Sequence, residues 1–319
     1  MRLGLVLSGG GAKGSFEAGV LAAVEDAGLR PEVVSGTSAG ALNAAALAAG
    51  FDAARLAALW TSVSDRDVFR LRRDVWRLPR LRGFAEGGNL AGRLLAAIGW
   101  TWFLDTAPLR RTLVEMLGGE RVPVRDGLVV TISAVDEATG ELVRFTNAPP
   151  PPHRTSPRYR VVGLHVDHLL ASAAIPLVFR PGVVDGVRYW DGGLVANTPL
   201  APALAYEPDT VIVVTTATRE RPAPPPGNLG AALSLLIDNA LRHSLLNDLA
   251  RAGALNTLAS AAPAATGARQ VDFLLVEPAG LDLGDGLRFD PRRAARNIAL
   301  GREAGARAIA GWRKEGRLR

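Results

Sequence analysis

Glu32-Val33-Val34-Ser35-Gly36-Thr37-Ser38-Ala39-Gly40 runs a valine pair into a glycine-flanked serine and then into an alanine- and leucine-rich stretch that ends at Gly50. This reads as a strand over Pro31–Ser35, a sharp elbow, and a helix over Ser38–Ala49. Gly36 and Gly40 relieve crowding in such a turn, so the Ser38 hydroxyl is presented at the strand's end. The helix starting there sets its positive end beneath any negative charge that develops next to the serine. Upstream, the apolar run Leu3–Leu7 predicts a buried first strand. Ser15–Ala27 follows with Phe16, Val20, Leu21 and Val24 at helical spacing and stops at Gly28; Asp52–Val63 predicts another helix. A β-α-β-α opening implies an α/β fold with a parallel sheet covered on both faces.

The chain has 319 residues, 48% of them hydrophobic, which suits one large α/β domain or two small ones and argues against global disorder. There is no cysteine, which excludes disulfides, thiolate catalysis and cysteine-based zinc or iron–sulfur sites. The net charge of +6 comes almost wholly from arginine, since Lys13 and Lys314 are the only lysines. A modest positive charge favours anionic partners such as membrane surfaces, or simply keeps the protein soluble. Leu3–Leu7 is too short for a signal peptide, and no run of about 18 apolar residues marks a membrane span. A cytoplasmic protein with peripheral membrane contact is therefore expected.

Residues 64–105 differ in texture from their surroundings. Eight arginines (66, 70, 72, 73, 77, 80, 82, 93) interleave with Phe69, Trp76, Phe84, Trp100, Trp102 and Phe103, and Gly87-Gly88 interrupts them. This predicts a lid-like insertion rather than a sheet layer. Its arginines suit lipid head groups and its rings the acyl boundary, while a helical hairpin with solvated arginines is the alternative. Leu109–Leu117 predicts a helix. Leu128–Ala134 with Glu141–Thr146 predicts a hairpin, as does Val183–Tyr189 about Asp185-Gly186. Val166–Ile175 predicts a helix stopped by Pro176. Ala148–Pro157 and Arg221–Gly227 are proline-rich loops. Thr210–Thr215 and Val271–Val276 predict strands. Leu229–Ala261, with a break considered at Gly253, and Arg292–Arg313 predict helices.

Three groups of residues carry chemistry. Ser38 is a candidate nucleophile. The loop Gly9-Gly10-Gly11-Ala12-Lys13-Gly14 offers backbone N–H groups to an oxyanion, and Lys13 adds a cation. Gly9, Gly11 and Gly14 also fit Gly-x-Gly-x-x-Gly, with Glu32 near where a ribose-binding acid would stand, so a dinucleotide site competes. Asp191, before Gly192-Gly193, is a candidate base at a strand end. The four histidines, His153, His165, His168 and His243, read as structural or surface residues. His165 and His168 lack further ligands for a metal.

Together these residues resemble the patatin-like phospholipases. The match comprises Gly9–Gly14, Gly36–Gly40, Ala171-Ser172-Ala173-Ala174-Ile175-Pro176, and Asp191-Gly192-Gly193 followed by Asn197 and Pro199. The resemblance implies a three-layer α/β/α fold with a mainly parallel central sheet and a helical lid-like insertion, in a single domain over 1–319. The motif-bearing core would be 3–200 and a C-terminal α/β part 201–319. It implies a Ser38–Asp191 dyad without histidine and an oxyanion hole from Gly9, Gly10, Gly11 and Lys13, supported by Gly14, Gly36, Gly40, Gly192 and Gly193. Pro176 and Asn197 would hold the Asp191 turn. The implied activity is hydrolysis of acyl esters of phospholipids or related lipids through an acyl-serine, with no metal or cofactor and no nucleic-acid partner. An acyltransferase on the same dyad and a non-catalytic lipid-binding scaffold remain alternatives.

Overall fold

A computed structural model describes residues 2–73, 101–217, 225–227, 229–261 and 270–318. Its strands are β1 (Leu3–Leu7), β2 (Val33–Thr37), β3 (Arg70–Leu71), β4 (Trp102–Asp105), β5 (Val129–Asp136), β6 (Leu142–Thr146), β7 (Tyr159–Val161), β8 (Leu177–Phe179), β9 (Gly182–Val184), β10 (Val187–Asp191), β11 (Thr210–Val214) and β12 (Asp272–Val276). Its helices are α1 (Ser15–Asp26), α2 (Ala39–Ala48), α3 (Ala53–Ser62), α4 (Asp65–Val68), α5 (Ala107–Leu117), α6 (Val166–Ser172), α7 (Gly193–Ala196), α8 (Leu200–Leu204), α9 (Leu229–Ala261) and α10 (Pro291–Lys314).

The main sheet has the order β12-β11-β1-β2-β5-β10-β9, with β6 beside β5 and β7 beside β6. β12, β11, β1, β2 and β5 run parallel, while β10, β9 and β6 join antiparallel. The sheet is therefore mainly parallel, as expected. β1, β2 and β11 are buried along their whole length, which explains their near-continuous Leu/Val runs. Alternation sorts their side chains: Leu3, Leu5 and Leu7 pack with Phe16, Val20 and Ala44 on one side. Val6 and Val33 pack with Val211, Leu200 and Tyr206 on the other.

Several elements depart from the sequence expectation. β2 starts later and continues to Thr37, because its ladder with β5 extends to the Thr37–Ser133 pair. The serine thus follows the strand directly. α6 ends at Ser172, not at residue 175, consistent with the bias of a residue before proline away from helix. α9 runs unbroken through Gly253, since one interior glycine costs a helix only about 1 kcal/mol. The described ends of the insertion are not a lid apart from any sheet. β3 and β4 pair antiparallel, and β4 pairs parallel with β8, forming a separate three-stranded sheet. Arg70 closes this sheet against Asp105 at 2.7 Å. Arg72 stacks over the Trp102 ring at 4.2 Å. The helical core expected within the insertion, with Trp76, Arg77, Arg80, Arg82, Phe84, Arg93 and Trp100, lies outside the described residues. So does 221–224 of the second proline-rich loop. Among the described residues no helix is long and apolar enough to cross a membrane.

Candidate active site

The parallel strands β1 and β2 point their C-terminal ends at one cavity of about 240 Å³, where open α/β sheets bind their ligands. Gly9, Gly10, Gly11, Ser38, Asp191 and Asn197 form its floor.

Ser38 sits at φ 53°, ψ −124°, a left-handed conformation that costs a non-glycine residue about 1–3 kcal/mol. Its neighbours hold it there. The Ser38 N–H donates to Ser172 Oγ at 2.9 Å, and Ser172 Oγ in turn donates to Ser133 O at 2.7 Å. Thr37 Oγ1 donates to Ala196 O at 3.0 Å, and the Ser38 carbonyl accepts the first bonds of α2 from Ala41 and Leu42. Gly36 lies against the Gly40 carbonyl, and Gly40 against that of Leu7. Gly14 lies against Ala39. Ser172 therefore ties the motif at 171–176 to the nucleophile elbow itself.

Asp191 is the last residue of β10. Its N–H donates to Ala174 O at 2.9 Å, and its Oδ1 accepts from Gly193 N–H at 2.7 Å. Gly192 packs on the Ser133 carbonyl. Ser38 and Asp191 both line the cavity, and Ser38 is one of the groups that lower the Asp191 pKa. Both residues are buried, with 5% and 6% exposure. Burial pushes the Asp191 carboxyl up to about 6, against the lowering pull of nearby Ser38 and of the Gly193 N–H. Ala174 and Gly193, rather than Pro176 or Asn197, thus make hydrogen bonds to Asp191. The Asn197 side chain reaches instead toward Gly9 O, at 3.4 Å.

In the glycine loop, the N–H of Gly9 is bound to Asn197 O, that of Ala12 to Gly286 O and that of Lys13 to Gly10 O. Among the described residues no acceptor meets the N–H groups of Gly10 and Gly11, both of which line the cavity. The positive φ of Gly11, 57°, is the backbone state that turns the loop here. Lys13 is placed differently from the glycines. Its ammonium is turned to Asp238 of α9 at 2.6 Å, and its side chain is nearly buried. Its charge ties the loop to α9 by pairing with Asp238, which itself lines the cavity.

The cavity walls are almost entirely apolar, built by Ile175, Leu177, Leu194, Leu236 and Leu287. Sequence reasoning named none of these leucines, which come from separate elements and follow no local pattern. Among the described residues no histidine lines the cavity. His165 caps α6, His168 is buried against Phe145 with its pKa lowered chiefly by burial, and His153 pairs with Glu207. Glu32 precedes the N-terminal end of β2, opposite to the cavity, and faces Arg2 at 3.8 Å. A ribose-binding acid belongs at the other end of that strand.

A family model described as patatin-like phospholipase matches residues 5–204. The cGAMP-activated phospholipase of Escherichia coli is 30% identical over 209 residues, covering 61% of this chain and 52% of that protein. Its namesake from Pseudomonas aeruginosa is 34% identical over 200 residues, covering 61% and 53%. The chain spans about half the length of these curated relatives. Among solved structures, VipD from Legionella pneumophila is 15% identical with a TM-score of 0.43, covering 97% of this chain and 67% of that one.

Proposed function

The chain belongs to the patatin-like phospholipase family, and on that premise we propose that it is a serine acyl hydrolase that cleaves fatty acyl esters of phospholipids or related lipids through Ser38 and Asp191. The observation that carries the reading is the placing of Ser38 and Asp191, both buried, together on the floor of an apolar cavity, beside two backbone N–H groups that have no acceptor among the described residues.

Asp191 accepts the Ser38 proton as the oxygen attacks the acyl carbonyl. A carboxylate with a pKa near 6 is a stronger base than an ordinary aspartate and is still ionised at neutral pH. The tetrahedral oxyanion forms against the Gly10 and Gly11 N–H groups, with Gly9 shaping the loop; each such donor is worth about 3 kcal/mol. Collapse expels the alcohol, which takes the proton back from Asp191. Water, deprotonated by Asp191, then attacks the acyl-serine ester and frees the fatty acid and Ser38. Leucines 177, 194 and 236 give the acyl chain an apolar path from the mouth of the cavity to Ser38. Peripheral membrane contact through residues 64–105 fits this reading, because β4 of that segment pairs with the strand bearing Leu177.

Labelling with a fluorophosphonate probe and peptide mapping tests the proposal. The expected result is a label on Ser38, absent from Ser38→Ala and nearly absent from Asp191→Ala. A folded wild-type protein without label on Ser38, or a Ser38→Ala variant that still hydrolyses esters, overturns it; the first outcome would leave a lipid-binding scaffold.

A further inference from the structure

The loop that carries the two free N–H groups is held from behind by a residue outside the stretch matched by the family model. Thr216 follows β11 and is buried. Its hydroxyl donates to Gly9 O at 2.6 Å, and its own N–H donates to Ser8 Oγ at 3.0 Å. The Gly9 carbonyl and the Gly10 N–H belong to one trans peptide unit, so they point in opposite directions. A bond that fixes the carbonyl therefore aims the N–H. Among the described residues the only other donor to that carbonyl is Asn197 Nδ2, at a long 3.4 Å. Thr216 also packs so closely on Gly10 that a side chain at position 10 would strike its hydroxyl. In the next peptide unit, the Lys13 N–H holds the Gly10 carbonyl at 3.2 Å, which aims the Gly11 N–H in the same manner.

We infer that Thr216 is a positioning residue for the oxyanion hole: its hydroxyl anchors the Gly9 carbonyl and so sets the Gly10 N–H toward the developing charge. The inference rests on the Ser38–Asp191 reading above. Thr216 touches neither the ester nor Ser38 in this scheme. It acts only through the orientation of one peptide plane, and the interaction it governs is made in the transition state. Its loss should therefore lower kcat and leave KM alone.

The test uses wild type, Thr216→Ala, Thr216→Ser and Ser38→Ala with a soluble p-nitrophenyl ester, together with a trifluoromethyl ketone that forms a tetrahedral adduct with the serine. Thr216→Ala should lose roughly ten- to a hundredfold in kcat, the scale of a misplaced reacting geometry, with KM changed less than about threefold. Thr216→Ser restores the hydroxyl and should recover kcat to within about threefold of wild type. Affinity for the ketone should fall in step with kcat/KM, whereas affinity for the fatty-acid product should not move. If Thr216→Ala does not fold, Thr216→Val, which keeps the volume, carries the same comparison. Wild-type kcat in a folded variant lacking the hydroxyl overturns the inference. So does an equal loss in Thr216→Ser, or the unfolding of both hydroxyl-free variants. A wild-type protein that neither hydrolyses the ester nor depends on Ser38 would instead sink the underlying reading.

Discussion

The floor of the cavity is buried and polar, whereas its walls are apolar and half open. Ser38 and Asp191 sit below 10% exposure in a net of hydrogen bonds through Ser172, Gly193 and Ala174. Leu177 and Leu236, at 62% and 66% exposure, stand over them with their side chains largely in solvent. On the floor, each group is fixed by bonds whose lengths and angles matter, so a change there removes a function outright. On the walls, contact is non-directional and scales with area, so a change there should shift preference by degrees. The floor also stores unfavourable features that a protein built for stability alone would avoid: a strained serine and a desolvated carboxyl.

Asp191→Asn should give the largest effect. Asparagine keeps the shape of the turn but cannot take the serine proton, so kcat/KM should fall about a thousandfold or more. In the wild type, kcat/KM should rise with pH and reach half its plateau near pH 6, because only the ionised carboxylate is a base. The stability sign is opposite. The folded state holds the Asp191 proton more tightly than the unfolded chain, so stability declines as pH rises from about 4 to 6 and stays lower above. Asp191→Asn should consequently melt at or above the wild-type temperature at pH 8. A rate profile flat through pH 6, or an asparagine variant less stable than wild type at pH 8, would break the contrast between a costly floor and neutral walls.

Wall substitutions should act more gently. Leu236→Trp narrows the mouth from α9, and Leu194→Trp does so from the turn after Asp191. Each should cut kcat/KM for long acyl esters about tenfold to a hundredfold, since a methylene in an apolar site is worth about 1–3 kcal/mol. Turnover of an acetyl ester and labelling of Ser38 by a small fluorophosphonate should stay within about threefold. Equal losses for short and long esters would show that the walls are coupled to the floor, and the comparison would then need redrawing.

The same division explains what was legible in the sequence. Glycines that must lie against backbone, such as Gly36, Gly40 and Gly192, are local necessities and leave a local signature. Strands β1, β2 and β11 were legible, though β2 runs to Thr37, because burial along their whole length demands near-continuous apolar runs. Ser172 was legible as part of a motif, but its two hydrogen bonds, one accepted from Ser38 and one donated to Ser133, were not, because nothing local says where a hydroxyl points. Lys13 misled: inside a glycine loop it reads as an anion ligand, yet its partner is Asp238, distant in sequence. Thr216, the wall leucines and the pairing of β4 with β8 are likewise set by long-range packing, which leaves no periodicity to read. Two-residue β3 and three-residue β8 are also too short for any alternation to emerge.

The smallest expected effect concerns a second buried carboxyl beneath the floor. Glu17 of α1 is fully buried, and Asn43 Nδ2 donates to its Oε2 at 2.8 Å. The same Asn43 amide donates to Gly14 O at 3.0 Å, and its Oδ1 accepts from Trp60 Nε1 at 2.9 Å. Burial pushes Glu17 up to about 8, outweighing the hydrogen bonds from Asn43 and Ser8. At neutral pH it is therefore a neutral acceptor for Asn43, the residue that ties the glycine loop to α2 and α3, and not a charge. Between the ordinary glutamate value and pH 8 the folded chain binds the extra proton, so stability falls as pH rises through that window and levels off above it. Glu17→Gln keeps the acceptor for Asn43 and removes the titration. Thermal melts should place it close to wild type at pH 5 and a few degrees above it at pH 9, with kcat unchanged within about twofold. A glutamine variant that loses stability equally at every pH would mean that the carboxyl's shape, and not its protonation, holds the loop. A large loss of kcat without loss of stability would extend the floor's all-or-none character to a residue that never meets the substrate.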